Sequence, residues 1–352
     1  KDPRAAYNVL KSWYRFHGDR PPKPTRQDLD KIHSDFTDLY TKETPSPPDD
    51  PIPAMVAPFD IDDSTPEEGE IETAVRRLRL HKSPGPTGMA AEHIREWLDA
   101  AKRTNRPDPG PWNLLVELIQ HVFNTGDVPT KLTWSCLALL PKSDGGVRGI
   151  GLLEVVWKLI EAIIDTRVRS KVTLHDCLHG FTARRGTGTA IIEAKLQQEL
   201  AGIRKQPLFQ VYLDLKKAYD TIDRPRLLQT FKEYGMGPNL RRVLKNYWDG
   251  QRIVPRQAGF HGKPIHASRG QVQGGLFPPM GFNLVADKVI RYWLTIVLDD
   301  NGDAAINGLG NTIADKLTLL YADDTIVAAT DRPGLAPEGA RPPGRPLPPY
   351  GS

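Results

Sequence analysis

The tetrapeptide Tyr321-Ala322-Asp323-Asp324 constrains this chain more than any other feature of the sequence. Apolar residues precede it between 317 and 320, and the run Ile326-Val327-Ala328-Ala329 follows it. Two apolar runs joined by so short a polar stretch predict a hairpin with both carboxylates at its tip. Close carboxylates repel unless cations neutralise them, so this tip could hold divalent metal. For Asp-Asp taken alone, an exposed turn is the commoner interpretation.

Composition sets broad limits on the class of protein. The 352 residues are 39% hydrophobic, which is enough to bury a core. A net charge of +4 permits nucleic-acid binding without arguing for it. Two cysteines are too few for a disulfide framework, and no apolar run reaches the roughly 18 residues of a membrane span. We therefore expect an internal fragment of a soluble intracellular polypeptide that does not act on membranes.

Local patterns divide the chain into an ordered middle and two Pro-rich ends. Residues 1–63 are expected to form a Pro-rich mobile leader with one short helix, and residues 331–352 a disordered Pro/Gly-rich tail. Order should begin at Thr65-Pro66-Glu67-Glu68, which has the pattern of a helix start. Apolar periodicity predicts helices near 90–101, 111–124, 155–168, 224–234, 238–248 and 279–298, strands at 134–140 and 209–213, and a hairpin over 252–267.

A third aspartate follows one of the predicted strands. Asp214 ends that strand roughly a hundred residues before Asp323, so the fold could place the two strands side by side. Two hard divalent ions held by such carboxylates would activate an attacking hydroxyl and stabilise a leaving phosphate. That chemistry belongs to polymerases and nucleases.

The segment Asp214-Leu215-Lys216-Lys217-Ala218-Tyr219-Asp220 resembles the first catalytic motif of reverse transcriptases. The resemblance implies that Asp214, Asp323 and Asp324 are the catalytic metal ligands. It also implies that Tyr219 lies under the incoming sugar and excludes a 2′-hydroxyl. Without the other motifs, Tyr219 reads as a core residue and Asp220 as a cap of the next segment.

Two more segments resemble the nucleotide-binding parts of that family. Gly270-Gln271-Val272-Gln273-Gly274-Gly275 is similar to its Gln-Gly motif, which implies that Gln273 and Gly274 line the nucleotide pocket. Leu140-Pro141-Lys142, followed by Arg148-Gly149-Ile150, resembles the fingers segment that holds the triphosphate. By this resemblance Lys142 and Arg148 supply the cations that phosphoryl transfer requires.

Template contacts are implied by two loops. Lys82-Ser83-Pro84-Gly85-Pro86-Thr87-Gly88 and the segment from His179 to Thr187 resemble template-contacting parts of non-long-terminal-repeat retrotransposon and group II intron enzymes. Lys82, Arg184 and Arg185 are the implied nucleic-acid contacts, since basic groups at such loops suit phosphates. Taken singly, each segment is a turn.

Together the motifs resemble the family over about residues 66 to 330 and imply an α+β, right-hand polymerase. Residues 64–207 would form the fingers and N-terminal helical part, interleaved with an antiparallel palm sheet and helices over 208–330, and no thumb is recognisable. The implied cofactor is Mg²⁺, as two ions, with Mn²⁺ as the alternative. The implied partners are an RNA template, a DNA or RNA primer and dNTPs, with the chain in nucleus or cytoplasm as a ribonucleoprotein.

Three functions remain open from the sequence. The leading hypothesis is an RNA-directed DNA polymerase. A catalytically inactive, truncated fragment that binds nucleic acid weakly is the rival from another class, because the Pro-rich tail stands where the family's later segments should follow. An RNA-dependent RNA polymerase is the enzyme rival, and Tyr219 speaks against it. The sequence does not determine the oligomeric state.

Overall fold

The structure, a computed structural model, describes residues 26–42, 52–103, 110–141, 147–205, 207–215, 217–257, 260–301, 318–322 and 324–330. The α-helices are α1 (Arg26–Thr41), α2 (Glu68–Arg77), α3 (Ala91–Arg103), α4 (Pro111–Thr125), α5 (Val155–Lys171), α6 (Thr187–Ile203), α7 (Ala218–Thr221), α8 (Arg224–Glu233), α9 (Pro238–Gly250) and α10 (Pro278–Asn301). The strands are β1 (Trp134–Pro141), β2 (Val147–Leu153), β3 (Leu208–Asp214), β4 (Arg252–Gln257), β5 (Phe260–His261), β6 (Ile265–His266), β7 (Thr318–Tyr321) and β8 (Asp324–Thr330). This is a mixed α+β fold, as the sequence predicts.

The first sheet has the order β2-β1-β4-β5, and β6 also pairs with β4. β1 runs antiparallel to β2, with Leu139 opposite Gly149, and parallel to β4, with Ser135 beside Ile253. Leu137 in β1 and Ile253 in β4 are fully buried. Strands that are buried in this way read in the sequence as short continuous apolar runs, and 134–140 is such a run.

Helices pack around this sheet to form the main hydrophobic core. α5 is buried almost all round, and its Trp157 stacks on Tyr247 of α9 with ring centroids 3.6 Å apart. α4 ends at Gly126, whose φ of 75° is left-handed and whose amide donates to the Val122 carbonyl. Glycine suits this position because other residues are strained there, and it therefore stops the helix where the sequence predicts.

The second sheet is antiparallel and has the order β3-β8-β7. Its own hydrophobic cluster is small and consists of Cys177, Leu178, Ile290 and Leu320. β3 lies at the edge, and its apolar side chains are largely exposed, Tyr212 to 67%. The sheet that carries the predicted aspartates is therefore much less buried than the first sheet.

Two regions differ from the sequence-based description. α1 lies within the segment expected to be a mobile leader, and its Leu39 and Tyr40 are buried in the main core together with Ile61. α6 was not predicted, although Ile192, Leu196, Leu200 and Ile203 recur at helical spacing in its sequence. Residues 1–25 and 331–352, and with them the predicted tail, lie outside the described residues.

Within the part of the chain that the structure describes, no helix is long and apolar enough to cross a membrane.

Candidate active site

Two of the three predicted catalytic aspartates face one another across adjacent strands. Asp214 at the end of β3 pairs directly with Asp324 at the start of β8, and Asp324 pairs with Tyr321 at the end of β7. Directly opposite residues in antiparallel strands project from the same face of a sheet. Both aspartates are exposed. Asp323 lies outside the described residues, so its position relative to this pair stays a prediction.

The segment 177–180 holds the aspartate hairpin from its other side. The amide of His179 donates to the Leu320 carbonyl at 2.7 Å, and the Leu320 amide donates to the Cys177 carbonyl at 2.8 Å. Gly180 packs directly on the hairpin turn, because a Cβ at this position would lie 2.3 Å from the Ala322 amide nitrogen. The side-chain amide of Asn283 in α10 donates to the Gly180 carbonyl at 2.8 Å. The end of β7 is therefore fixed by backbone hydrogen bonds, and Ala322 by packing against Gly180.

A pocket of about 350 Å³ adjoins this turn. Its lining includes Ala322 of the turn and every described residue that the sequence assigns to nucleotide binding: Arg148, Tyr219, Gln273 and Gly274. A volume of this size lies within the range of small-ligand sites. Lys142, the remaining predicted nucleotide-binding residue, lies outside the described residues.

Aromatic packing fixes the ring of Tyr219 in the pocket. The ring lies 4.9 Å from that of Phe282 in α10 and 6.5 Å, edge-on, from that of Phe181. Phe181 has a left-handed φ of 54° and is half-exposed. Tyr219 is therefore held between one buried and one exposed ring, which limits its movement away from the pocket.

Close backbone contacts fix the loop that carries Gln273. The Gln271 amide donates to the Tyr219 carbonyl at 2.7 Å, and the Gly151 amide donates to the Gln273 carbonyl at 2.6 Å. Gly274 has a φ of 125°, and a Cβ there would lie 2.2 Å from the Gly151 carbonyl oxygen. A side chain is excluded here both by backbone conformation and by space. The loop thus bridges the first sheet and the segment after Asp214.

Asp220 is a site residue that the sequence analysis missed. It is buried, its carboxylate accepts from the Tyr40 hydroxyl at 3.0 Å, and it accepts from the Gln273 side-chain amide at 3.3 Å. Burial raises its pKa, while the Tyr40 hydrogen bond, Lys217 and Arg148 act in the opposite direction. The cap of the following helix is instead Asp223, which accepts from the Arg226 amide. Pro225 in the first turn of that helix is a local signal for Asp223 as the cap, whereas no local pattern reveals the buried contacts of Asp220.

The three predicted nucleic-acid contacts differ in their surroundings. Lys82 is exposed, on a loop that Thr87 anchors to the buried Glu154 by two hydrogen bonds of 2.7 and 2.6 Å. Arg184 is exposed and has a left-handed φ of 61°. Arg185 pairs with the backbone and side chain of Asp176. Arg185 therefore has a structural partner, and a nucleic acid would have to compete for it.

The donor set of the aspartate pair suits a hard cation. Among the described residues, no group of three or more His, Cys, Asp or Glu side chains forms a metal cluster, and this count does not include Asp323. Two like charges directly opposite on one face of a sheet destabilise it unless cations neutralise them. Carboxylate oxygens are the ligands that Mg²⁺ prefers. The described pair thus fits part of a magnesium site.

Comparison with known proteins gives one family. The family model described as "Reverse transcriptase (RNA-dependent DNA polymerase)" matches residues 140–336, more than half of the chain. The Pol polyprotein of the type-2 retrotransposable element R2DM of Drosophila melanogaster is 23% identical over 273 residues, covering 76% of this chain and 24% of its own length. The RNA-directed DNA polymerase from the mobile element jockey of Drosophila funebris is 23% identical, covering 74% of this chain and 28% of its own length.

The chain thus spans about a quarter of the length of these curated relatives. Among solved structures, telomerase from Candida tropicalis in complex with a fragment of telomeric RNA is 14% identical, with a TM-score of 0.39 over 58% of this chain and 37% of its own. The family match spans Asp214, Asp324 and all four pocket residues named above. This chain belongs to the reverse transcriptase family, and its curated relatives are retrotransposon proteins.

Proposed function

We propose that this chain carries the active site of an RNA-directed DNA polymerase that extends a primer 3′-hydroxyl with dNTPs along an RNA template. One observation carries the proposal: Asp214 and Asp324 share one face of a sheet, and the turn between β7 and β8 lines a nucleotide-sized pocket. In this proposal the second sheet belongs to the palm. β1, β2 and the helices within 64–207 belong to the fingers, and the remaining elements of 208–330 belong with the palm.

The proposed reaction is an in-line displacement. The 3′-oxygen of the primer forms a bond to the α-phosphorus of the dNTP while the bond to the pyrophosphate oxygen breaks. Asp214, Asp324 and Asp323 would hold two Mg²⁺ ions, which, when bound, activate the hydroxyl and neutralise charge on the leaving group. Arg148 would pair with the triphosphate, where its planar guanidinium can make two parallel hydrogen bonds.

Tyr219 would select deoxynucleotides by steric exclusion. Its ring lines the pocket and is packed against Phe282, so it cannot move aside for an added hydroxyl without repacking both rings. Gln273 and Gly274 would complete the lining of the pocket. Lys82, Arg184 and Arg185 would contact the phosphates of template or primer.

Primer extension tests the proposal directly. The chain is incubated with a DNA primer annealed to an RNA template, dNTPs and Mg²⁺, and product length is measured for the wild type, Asp214→Asn and the control Asp249→Asn. Asp249 forms an exposed ion pair with Lys245 on α9, so its substitution removes one charge outside the pocket. We expect synthesis by the wild type and the control alone. Equal synthesis by Asp214→Asn would contradict the proposal, and no synthesis by the wild type would favour a catalytically inactive fragment.

A second measurement tests the sugar preference. Tyr219→Ala removes the ring, and we expect the preference for dNTPs over rNTPs to fall by about tenfold or more. Tyr292→Ala is the matched control, because it removes a partly buried tyrosine ring that does not line this pocket. A Tyr219→Ala protein with an unchanged preference would remove this residue from sugar selection.

A further inference from the structure

The N-terminal helix α1 ends against the loop that carries Gln273. The Tyr40 carbonyl accepts from the Ser268 amide at 3.0 Å and from its hydroxyl at 3.1 Å. The Leu39 carbonyl accepts from the Arg269 side chain at 2.8 Å. The last carbonyls of a helix have no partners within the helix, so residues 268 and 269 satisfy them. They immediately precede the Gly270–Gly274 segment of the candidate nucleotide pocket.

The side chain of Tyr40 extends this contact into the pocket. Its hydroxyl donates to Oδ1 of Asp220 at 3.0 Å, and Oδ2 of the same carboxylate accepts from Nε2 of Gln273 at 3.3 Å. Tyr40 is 1% exposed and Asp220 is 8% exposed. The Tyr40–Asp220 hydrogen bond is thus shielded from water, where the loss of one partner is costly, and the bond to the partly buried Gln273 is partly shielded.

The chemistry of this contact sets the orientation of the Gln273 amide. An ionised carboxylate can only accept hydrogen bonds, so it must face the NH₂ group of the amide and not its oxygen. The carboxylate is itself fixed, because its other oxygen is occupied by the Tyr40 hydroxyl. With the NH₂ group engaged by Asp220, the acceptor oxygen of Gln273 is the end that remains for a ligand in the pocket that this residue lines.

We propose that Asp220, held by Tyr40, is a positioning residue that orients the Gln273 amide with its oxygen toward the incoming nucleotide. This inference rests on the proposed polymerase function and extends it: the segment 26–42 supports the nucleotide pocket and is not merely a leader. The ligand chemistry that it predicts is a hydrogen-bond donor on the nucleotide at the position that Gln273 reaches.

The first test compares Tyr40→Phe with the wild type in primer extension. Loss of one buried hydrogen bond should raise the KM for dNTPs about fivefold and leave kcat within about twofold. Tyr234→Phe is the matched control, because the Tyr234 hydroxyl also donates to a buried carboxylate, Asp287, at 2.5 Å, but outside the pocket. We expect an unchanged KM for the control. A rise in KM of equal size in both proteins would overturn the inference.

A double-mutant cycle separates positioning from general loosening of the fold. If Tyr40 acts through Gln273, Tyr40→Phe should raise the KM in the wild type and have no further effect in the Gln273→Ala background. Additive effects of the two substitutions would mean that Tyr40 acts elsewhere, and the inference would fail.

A third measurement does not depend on polymerase activity. Amide hydrogen exchange over residues 268–276 should be faster in Tyr40→Phe than in Tyr234→Phe, because Asp220, which restrains this loop through the Gln273 side chain, loses its bond to the Tyr40 hydroxyl. Equal exchange in the two proteins would overturn the inference even if both polymerise normally. Absence of synthesis by the wild type would instead contradict the proposed function, and the exchange measurement would still decide the role of Tyr40.

Discussion

The two sheets of this molecule contribute to one site from very different surroundings. The first sheet lies within the main core, where Leu137 and Ile253 are both 0% exposed. The second sheet has an open edge strand, where Val211 is 56% and Leu213 is 47% exposed. The first sheet supplies Arg148 to the pocket, and the hairpin of the second sheet, which carries Asp324 opposite Asp214, supplies Ala322.

This contrast separates two ways of placing a functional side chain. Residues from the first sheet are positioned by a close-packed interior, which resists small changes of volume. The aspartates are positioned mainly by strand register and by the backbone bonds to segment 177–180. We therefore expect substitutions in the first region to act mainly through stability, and substitutions in the second mainly through activity.

The largest effect is expected at the aspartate pair. Asp324→Asn should lower kcat on the order of a thousandfold, because one metal-binding carboxylate is lost. The melting temperature should stay the same or rise slightly, since the substitution removes repulsion across the strand pair. Primer extension and thermal unfolding of the same preparation check both parts. A large fall in melting temperature would break the comparison between the sheets.

A matched pair of leucines tests the difference in burial. Leu137→Ala in the first sheet should cost about 4 kcal/mol of unfolding free energy, and Leu320→Ala in the second about 2 kcal/mol. Leu137 packs in the main core, whereas Leu320 belongs to the four-residue cluster under the aspartate hairpin. Urea denaturation measures both costs. For each kcal/mol of lost stability, Leu320→Ala should nevertheless lower activity more than Leu137→Ala does. A larger loss of activity per kcal/mol in Leu137→Ala would contradict our expectation.

A buried acid in α5 should make the stability of the main core depend on pH. Glu161 is fully buried, and this burial raises its pKa to about 7, against opposing hydrogen bonds from Leu276 and Trp157 and the charge of Lys158. In the unfolded chain the pKa is near 4.5, so between these values the folded state binds more protons. The contribution of Glu161 to the free energy of unfolding is present in full below pH 4.5 and is lost as pH rises through 7. The free energy of unfolding falls by about 3 kcal/mol over this range.

The measurement for Glu161 is urea denaturation at a series of pH values from 5 to 8. We expect Glu161→Gln to remove most of the decline in stability that the wild type shows over this range. An equally steep decline in the variant would assign the pH dependence to other groups. The Glu161 carboxylate accepts from the Leu276 amide at 2.6 Å, and Leu276 directly follows the loop that carries Gln273. Primer extension should therefore be measured over the same pH range.

Gly274 tests the contact between the first sheet and the pocket loop. Gly274→Ala must adopt a φ of 125° and place its Cβ 2.2 Å from the Gly151 carbonyl oxygen, so the loop must move. We expect a cost of about 2 kcal/mol and a KM for dNTPs raised about tenfold. Gly188→Ala is the control, since a Cβ there meets no atom within 4 Å. Equal KM values in the two variants would contradict this role of the loop.

The smallest effect is expected at the exposed basic residues. Arg184→Ala should weaken binding of a primer–template duplex and reduce the salt dependence of binding by about one unit of log–log slope. Arg185→Ala should change that slope less, because the Arg185 guanidinium already binds Asp176. Fluorescence anisotropy at several salt concentrations compares the two. A larger change for Arg185 would show that its ion pair opens to nucleic acid.

Much of the fold follows from local patterns in the sequence. In α9, the apolar Leu240, Val243, Leu244 and Tyr247 recur at helical spacing, and all four are buried. The apolar runs 134–140 and 209–213 are strands, and Gly126 ends α4. The predicted mixed α+β class is confirmed. The fingers and palm assignments and the roles of the site residues stay predictions.

The parts that the sequence could not supply depend on contacts between distant residues. Asp220 and Tyr40 lie 180 positions apart, and each reads locally as an ordinary residue. In the sequence of α1, Leu29, Ile32, Phe36, Leu39 and Tyr40 recur at helical spacing, a local signal that the surrounding prolines led the sequence analysis to pass over. The reading of Asp220 as a cap was reasonable for an aspartate near a helix start, and Asp223 performs that role instead.

The pairing of Asp214 with Asp324 has a consequence for which changes of length the chain can accept. Side chains alternate between the faces of a strand, so one residue inserted within β3 would turn every later side chain of that strand to the opposite face. The same insertion in a connecting loop would leave the pair untouched. Tolerance to insertion should therefore change abruptly at the ends of β3 and β8, and a scan of single-residue insertions would trace the boundaries of the sheet that carries the aspartate pair.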